Sequence, residues 1–491
     1  MRVPVISGTI ANENGNFLTS YPINLDPFLK DTGISEGFLA HAPGITQKAS
    51  GFGADRGGVT WNGVCYRVMG TSLVKVASDW TVTVLGDVGY GGFCALTYSF
   101  ANLIINSGAQ LYYWNASEGL RQVTDPDLGT VIDAIFVDGY TMTTDGTSLV
   151  VTELNDPMAV NPLKYGSSEE SPDAITGLVH MHGEVYAFNQ NTTQVFQNIG
   201  GSGFPFQTVK TATVPYGCVA PRAKCKYIGS VAFVGSGENE GLGVYLLGAG
   251  VADKISPQEV DDELAALSDA ELAEVVLEAR VERDDQRLLV HLPNRTWVFS
   301  AQTSKKSSIK TWCQYVTGTG GSGRYEGRGL ALAYGYWIVG SSTGKIGVLD
   351  RKTTKHYGEA TGWQFDTVML YNEANRGILT GIELIGTPGR SGPDTITTQV
   401  VLASFGTVIA GPVSNKSLQT NHQVFFSYSK DGETWSMERG TSLGKLGERR
   451  KRIAWRPGIR FETMMSLRFR GASDSLAAIA RLECDLEPLG A

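Results

Sequence analysis

At 491 residues, 42% hydrophobic, 10% aromatic and 18% charged, the chain has the composition of a folded protein longer than one ordinary domain. Its opening, MRVPVISGTIANENGNF, lacks an apolar core of signal-peptide length, and no run of eighteen apolar residues occurs, which argues against a signal peptide and a membrane-spanning helix and for synthesis and use in a cytosol, or export by another route. The formal net charge of -8 hides two opposed blocks: eleven acids against two bases over 259–285, and ten bases against two acids over 439–470.

Residues 1–45 carry no repeat and are read as an N-terminal arm or platform segment. From about residue 46 one layout recurs, an alternating apolar strand, a tight turn and a second alternating strand. It appears as GVCYRVMGTSLVKV (63–76), NLIINSGAQLYYWN (102–115), YTMTTDGTSLVVTEL (140–154), GEVYAFNQNTTQVFQN (183–198), SVAFVGSGENEGLGVYLLG (230–248), QRLLVHLPNRTWVFS (286–300) and YGYWIVGSSTGKIGVLD (334–350). In the first, Val64, Tyr66 and Val68 point one way, Cys65 and Arg67 the other. Gly, Asn, Asp and Ser crowd the turns, where positive φ is needed, and 60 glycines suit many short strands. Successive turns fall roughly 40–55 residues apart, the interval of four-stranded propeller blades. The expectation is a mainly β chain with a six- or seven-bladed β-propeller over 46–370; an irregular set of β-sandwiches is the alternative.

Residues 256–285 break the β pattern and read as a small helical insertion of two helices. Ser256 with Glu259, and Ser268 with Glu271, have capping-box spacing, and Pro257 suits a first helical position. Leu272, Val275, Val276 and Ala279 would share one face of the second helix. Asp261, Asp262, Glu263, Glu271, Glu274 and Glu278 would form an acidic helical face, which either meets a basic partner, repels nucleic acid or is simply solvated.

After about residue 370 the spacing lapses, and 371–491 read as a second, C-terminal β domain serving as platform or interface. Within it SKDGETW (429–435) is similar to the Asp-box hairpin of sialidase propellers, a structural turn, one residue shorter than the usual box. The run GERRKRIAWRPGIR (447–460) alternates: Ile453 and Trp455 share one face, while Arg450, Arg452 and Arg456 share the other. After Pro457-Gly458, Ile459, Phe461, Met465, Leu467 and Phe469 point one way and Arg460, Glu462, Arg468 and Arg470 the other. Two paired strands would thus present an Arg-rich face over an apolar one, suited equally to phosphates or to an acidic protein surface, or simply solvated. Arg449, Arg450, Lys451, Arg452, Arg456 and Arg460 are the candidate subunit or adaptor interface.

Nothing in the sequence assembles a catalytic, cofactor or metal site. His180 and His182 share a strand face but have no third ligand nearby in sequence. Six scattered cysteines, none in a CxxC pair, read as buried free thiols. The glycine clusters GTGGSGRYEGRG (318–329) and GSGENEG lack the lysine and strand–helix context of a phosphate cradle and read as loops. Glycoside hydrolysis needs two carboxylates at a set separation, and no pair stands out. A sialidase-like carbohydrate-binding or hydrolysing propeller is nonetheless the alternative function, and a sequence-independent DNA-binding protein a third.

Along most of its length the chain resembles the packaged-DNA stabilisation proteins of short-tailed bacteriophages, also called tail hub or nozzle proteins. The resemblance rests on YPINLD and FLAHAPGITQ near the start, on NGVCYRVMGTSLVKV, and on VYLLGAGVADKIS followed by LSDAELAEVVLEARVERDDQRLLVHLPNRTWVFS and TWCQY. YSKDGETW and RRKRIAWRPGIRFETMMSLRFR extend it to the end. It implies a non-enzymatic virion component, made in the host bacterial cytoplasm, with no cofactor. Six copies would form a homo-hexameric ring below the portal and its head-to-tail adaptor, continue the DNA channel, close the filled head, and carry tail fibres or tailspikes and a plug or needle. Viral DNA would pass without sequence-specific binding, so a channel surface that is neutral or acidic is expected, because many phosphate contacts would sum to strong binding. The loops and a somewhat longer C-terminal end depart from the family pattern.

Overall fold

The computed structural model describes all residues except 12–15, 30–36, 155, 169–170, 172, 202, 249, 283, 372–375, 391–421, 473, 477 and 490–491. Two compact units emerge, one of residues 46–317 and 322–349, the other of residues 1–45, 318–321 and 350–491.

In the first unit the described strands form seven four-stranded sheets, each a meander in chain order: 55–87, 95–122, 133–167, 175–208, 224–254, 276–315, and 328–350 with 44–50. The first strand of the seventh sheet, Arg328–Ala333, lies beside the first strand of the first, Asp55–Trp61, and the ring closes as a seven-bladed propeller. The outermost strand of the seventh blade is Gly44–Ser50, contributed from before the first blade.

In five blades the first hairpin forms where the sequence supplies a residue–glycine pair. Asn62–Gly63, Asp138–Gly139, His182–Gly183, Ile228–Gly229 and Tyr334–Gly335 all have positive φ at both positions. That geometry gives a two-residue turn the twist of its flanking strands, and glycine adopts it without Cβ penalty. Each falls between the first and second strands of a blade. Alternation then distributes side chains to two neighbours. From Val64–Met69, Tyr66 and Val68 enter a cluster with Leu103, Ile105 and Tyr112 of the second blade. Cys65 and Met69 enter another with Ala331, Ile338 and Ile346 of the seventh. Both faces are buried, so burial along this strand is nearly continuous although orientation alternates.

The helical insertion is shorter than expected. Helix α1 is Gln258–Ala265, with Pro257 rather than Ser256 at its N-cap and no side-chain cap; Ser256 Oγ donates to Asp261 instead. Helix α2 is Asp269–Leu272, and its capping box from Ser268 and Glu271 forms as expected. Val276–Glu282 is then the first strand of the sixth blade, not helix. A third helix, α3 (Ala301–Ser307), capped by Ser300, was not anticipated. Five of the six free cysteines are buried.

The second unit contains a seven-stranded sheet and a five-stranded sheet. The N-terminal residues, expected as an arm or platform segment, supply strands to the first: Arg2–Val3 pairs with Ile479–Pro488, and Leu25–Leu29 with Gly37–His41. The core between the sheets is aromatic, with Phe365–Phe469, Trp455–Phe469 and Phe426–Trp455 centroids 5.1, 5.6 and 5.8 Å apart.

Two buried histidines give this unit a pH dependence. Burial pushes His41 and His356 from the ordinary 6.5 down to about 4, the former against the opposing charges of Asp474 and Asp26. The unfolded chain takes up these protons as pH falls below 6.5, while the folded unit resists until about 4. The stabilisation is therefore complete above 6.5 and lost on acidification, by roughly 3 kcal/mol per histidine at pH 4. Urea unfolding between pH 7.5 and 4.5 should show this decline, with a shallower slope in His356→Gln; an unchanged slope would refute the assignment.

Candidate functional site

The basic run lies along one edge of the second unit. Contrary to the expectation of two strands paired with each other, Ile453–Trp455 and Ile459–Phe461 pair in succession against one strand, Gly377–Gly386. Trp455 sits opposite Ile382, and Ile459 opposite Leu379. The alternation itself holds: Ile453, Trp455, Ile459 and Phe461 are buried, while Arg450, Arg452, Arg456 and Arg460 are exposed. The Trp455 indole anchors the run further, donating to Arg439 O at 3.0 Å.

The candidate cations are not equivalent. Arg452 is forked onto Glu383, with Nε to Oε1 at 2.8 Å, which raises its pKa and holds the Glu383 carboxyl down. Arg449, Arg450, Lys451, Arg456 and Arg460 are exposed and have no ion pair among the described residues. Arg468 is engaged: it forks onto Asp366 with both bonds at 2.8 Å and stacks on Trp435, 3.8 Å from the ring centroid. The arrangement is a rigid apolar staple carrying five free cations, able to meet carboxylates or phosphates.

The acidic set does not form one helical face. Asp261 bridges Lys254 at 2.7 Å, and Glu263 accepts from Trp297 Nε1 at 2.8 Å, so α1 turns two of its acids onto the propeller. Glu271 caps α2. Asp262 and Glu274 are exposed. Glu278, placed by periodicity on a helix, lies on the strand Val276–Glu282; it accepts from His291 Nε2 at 2.9 Å, Gly329 N at 3.1 Å and Leu330 N at 2.7 Å. Burial pushes its carboxyl up, but the His291 hydrogen bond and charge, with Leu330 N, outweigh that and leave it below the ordinary value.

Two other candidates resolve as structure. In SKDGETW, Asp431 accepts from Ser429 Oγ at 2.7 Å, Glu433 N at 3.0 Å and Thr434 N at 2.8 Å. The Thr434 and Ser429 hydroxyls and these amides hold its carboxyl well below the usual range, so the side chain serves the turn. His182 is not on the strand with His180; it occupies the turn after Ile175–Met181 with φ 54°. No group of three metal-capable side chains occurs among the described residues.

Sequence reasoning missed a set of buried carboxylates near the starts of the inner strands. Asp55 of the first blade forks onto Arg67. Asp133 of the third accepts from Leu178 N of the fourth at 2.9 Å and from Lys224 of the fifth at 2.8 Å, and pairs with Arg222. Glu278 of the sixth reaches the seventh. Asp133 and Glu278 join one blade to another through charge-assisted bonds, whereas the Asp55 pair lies within the first blade. The only signal in the sequence was a lone acid at the head of an apolar strand.

Comparison with known proteins divides the chain near residue 360, with residues 1–45 of the second unit included in the propeller match. Residues 1–354 match the family described as bacteriophage P22 Gp10, beta-propeller, and residues 362–487 that described as bacteriophage P22 Gp10, beta-sandwich. The tail hub protein gp10 of Salmonella phage P22 is 26% identical over 329 residues, covering 62% of this chain and 67% of that protein. Among solved structures, the N-terminal domain of Nup159 matches 67% of this chain and 98% of its own at 8% identity and a TM-score of 0.41. The Pan2 WD40 domain of Neurospora crassa matches 62% and 95% at 9% identity and a TM-score of 0.41. The two structural likenesses are too weak to bear on function, but the sequence matches run in order through propeller and sandwich: this chain belongs to the bacteriophage P22 Gp10 family.

Proposed function

We propose that the chain is a non-enzymatic structural protein of a phage tail hub, located in the virion tail. The observation that carries this is the ordered match of both domains to the P22 Gp10 families, together with the similarity to a tail hub protein. In this reading six copies form a ring below the portal and its head-to-tail adaptor. The ring continues the channel through which DNA leaves, stabilises the packaged genome, and anchors tail fibres or tailspikes and a plug. The free cations Arg449, Arg450, Lys451, Arg456 and Arg460 dock onto an acidic surface of a neighbouring subunit or the adaptor. Cyclic closure would repeat that contact around the ring.

Native mass spectrometry of the purified chain, alone and with portal–adaptor complexes, tests the assembly. A hexamer, or a monomer that joins rings only on those complexes, is expected. The triple variant Arg450→Glu/Arg456→Glu/Arg460→Glu should fold as the parent does, because these side chains are exposed, yet lose ring formation or head docking. Intact assembly of that variant would remove the basic run from the interface, and turnover of a glycan substrate would overturn the structural reading altogether.

A further inference from the structure

A cavity of about 440 Å³ opens within the propeller where the inner strands begin. Four arginines line it, Arg56, Arg222, Arg324 and Arg328, against two carboxylates, Asp55 and Glu274. Most of these charges are already committed. Arg56 donates to the carbonyls of Gly92, Gly70 and Gly89 and to Ser107 Oγ, at 2.8, 2.9, 2.6 and 2.8 Å. Arg222 shares Asp133 with Lys224, and Asp55 is forked onto Arg67.

Arg324 and Arg328 remain, delivered by the glycine-rich segment 318–329. Arg328 is only 8% exposed. One of its terminal nitrogens donates to Leu292 O at 3.0 Å, while its Nε, also buried, has no partner among the described residues. Burial and the charge of Arg324 lower the Arg328 pKa to about 10. Arg324 is exposed and has no ion pair among the described residues. Two cations thus face the cavity against Glu274, the one lining carboxylate not forked onto a cation.

We infer that this cavity is a binding site for a small oxyanion, a phosphate or carboxylate group, held by Arg324 and by the unpartnered Nε of Arg328. An oxyanion there would accept charge-assisted bonds from two guanidinium groups and give the buried Arg328 Nε the acceptor it lacks among the described residues. The inference is independent of the tail-hub reading, since it concerns the propeller by itself.

Isothermal titration calorimetry of the full chain with orthophosphate, and separately with citrate, in chloride of matched ionic strength, tests it. Saturable one-to-one binding of either anion is expected, weakened about tenfold or more in Arg324→Glu, whose exposed position leaves the fold intact by circular dichroism. Binding of orthophosphate alone identifies phosphate as the ligand group, and binding of citrate alone identifies carboxylate. Absence of saturable binding with both anions, or binding unchanged by Arg324→Glu, would overturn the inference.

Discussion

Replacing Arg67 with alanine should destabilise the propeller by about 3–5 kcal/mol, the cost of leaving one member of a buried ion pair alone. Its side chain is 0% exposed and that of Asp55 1%. Arg67 Nε meets Asp55 Oδ2 at 2.6 Å and a terminal nitrogen meets Oδ1 at 2.8 Å, while Gly57 N completes the carboxylate at 3.1 Å. The pair sits where the first blade meets the seventh, and a Cβ on Gly340 would overlap the Asp55 carboxylate. Water has little room to replace the lost guanidinium. Asp55→Ala should cost a similar amount, and the double variant less than the sum, because it removes both charges together. Urea unfolding of the propeller transition reads all three. A loss within about 1 kcal/mol of the parent for Arg67→Ala would show that the pair does not secure this junction.

Glu278→Ala should be nearly as damaging, at roughly 3 kcal/mol, because it orphans two backbone N–H groups of the seventh blade and the ring of His291. Glu278→Gln should lose less, since the amide oxygen can still accept one of those bonds. The contrast is Glu271→Ala, seven residues earlier in the same acidic run, which removes only the capping box of a four-residue exposed helix and should leave the unfolding midpoint almost unchanged. Equal losses for Glu271→Ala and Glu278→Ala would return Glu278 to a surface role. The comparison separates carboxylates that build the propeller from those that decorate it.

That contrast also marks what could be read from residues alone. The blades were legible because turns rich in Gly, Asn, Asp and Ser recur between alternating strands, and both signals are local. The second helix was overextended because Leu272, Val275, Val276 and Ala279 satisfy a 3.6-residue period by coincidence. The strand Val276–Glu282 in fact alternates, with Leu277, Ala279 and Val281 on one face and Glu278, Arg280 and Glu282 on the other, a two-residue period that the overlapping helical match masked. Glu278 finds its amide partners 51 and 52 residues away, beyond any local pattern. The basic run shows the same division. Its in–out alternation was readable because one face meets solvent, whereas its pairing with Gly377–Gly386 depends on a strand some 70 residues earlier.

The strand Gly44–Ser50 imposes an order of events during synthesis. Its place is beside Lys345–Asp350, about 300 residues downstream, so it leaves the ribosome long before the neighbour it needs exists. At about 5–20 residues per second the wait is roughly 15–60 s, during which its ladder groups are open to any passing strand. Six blades can stack as they emerge, but the ring can lock only after the seventh is complete. A ribosome stalled before residue 350 would therefore hold an open arc of blades, with the closing strand still unpaired at its beginning.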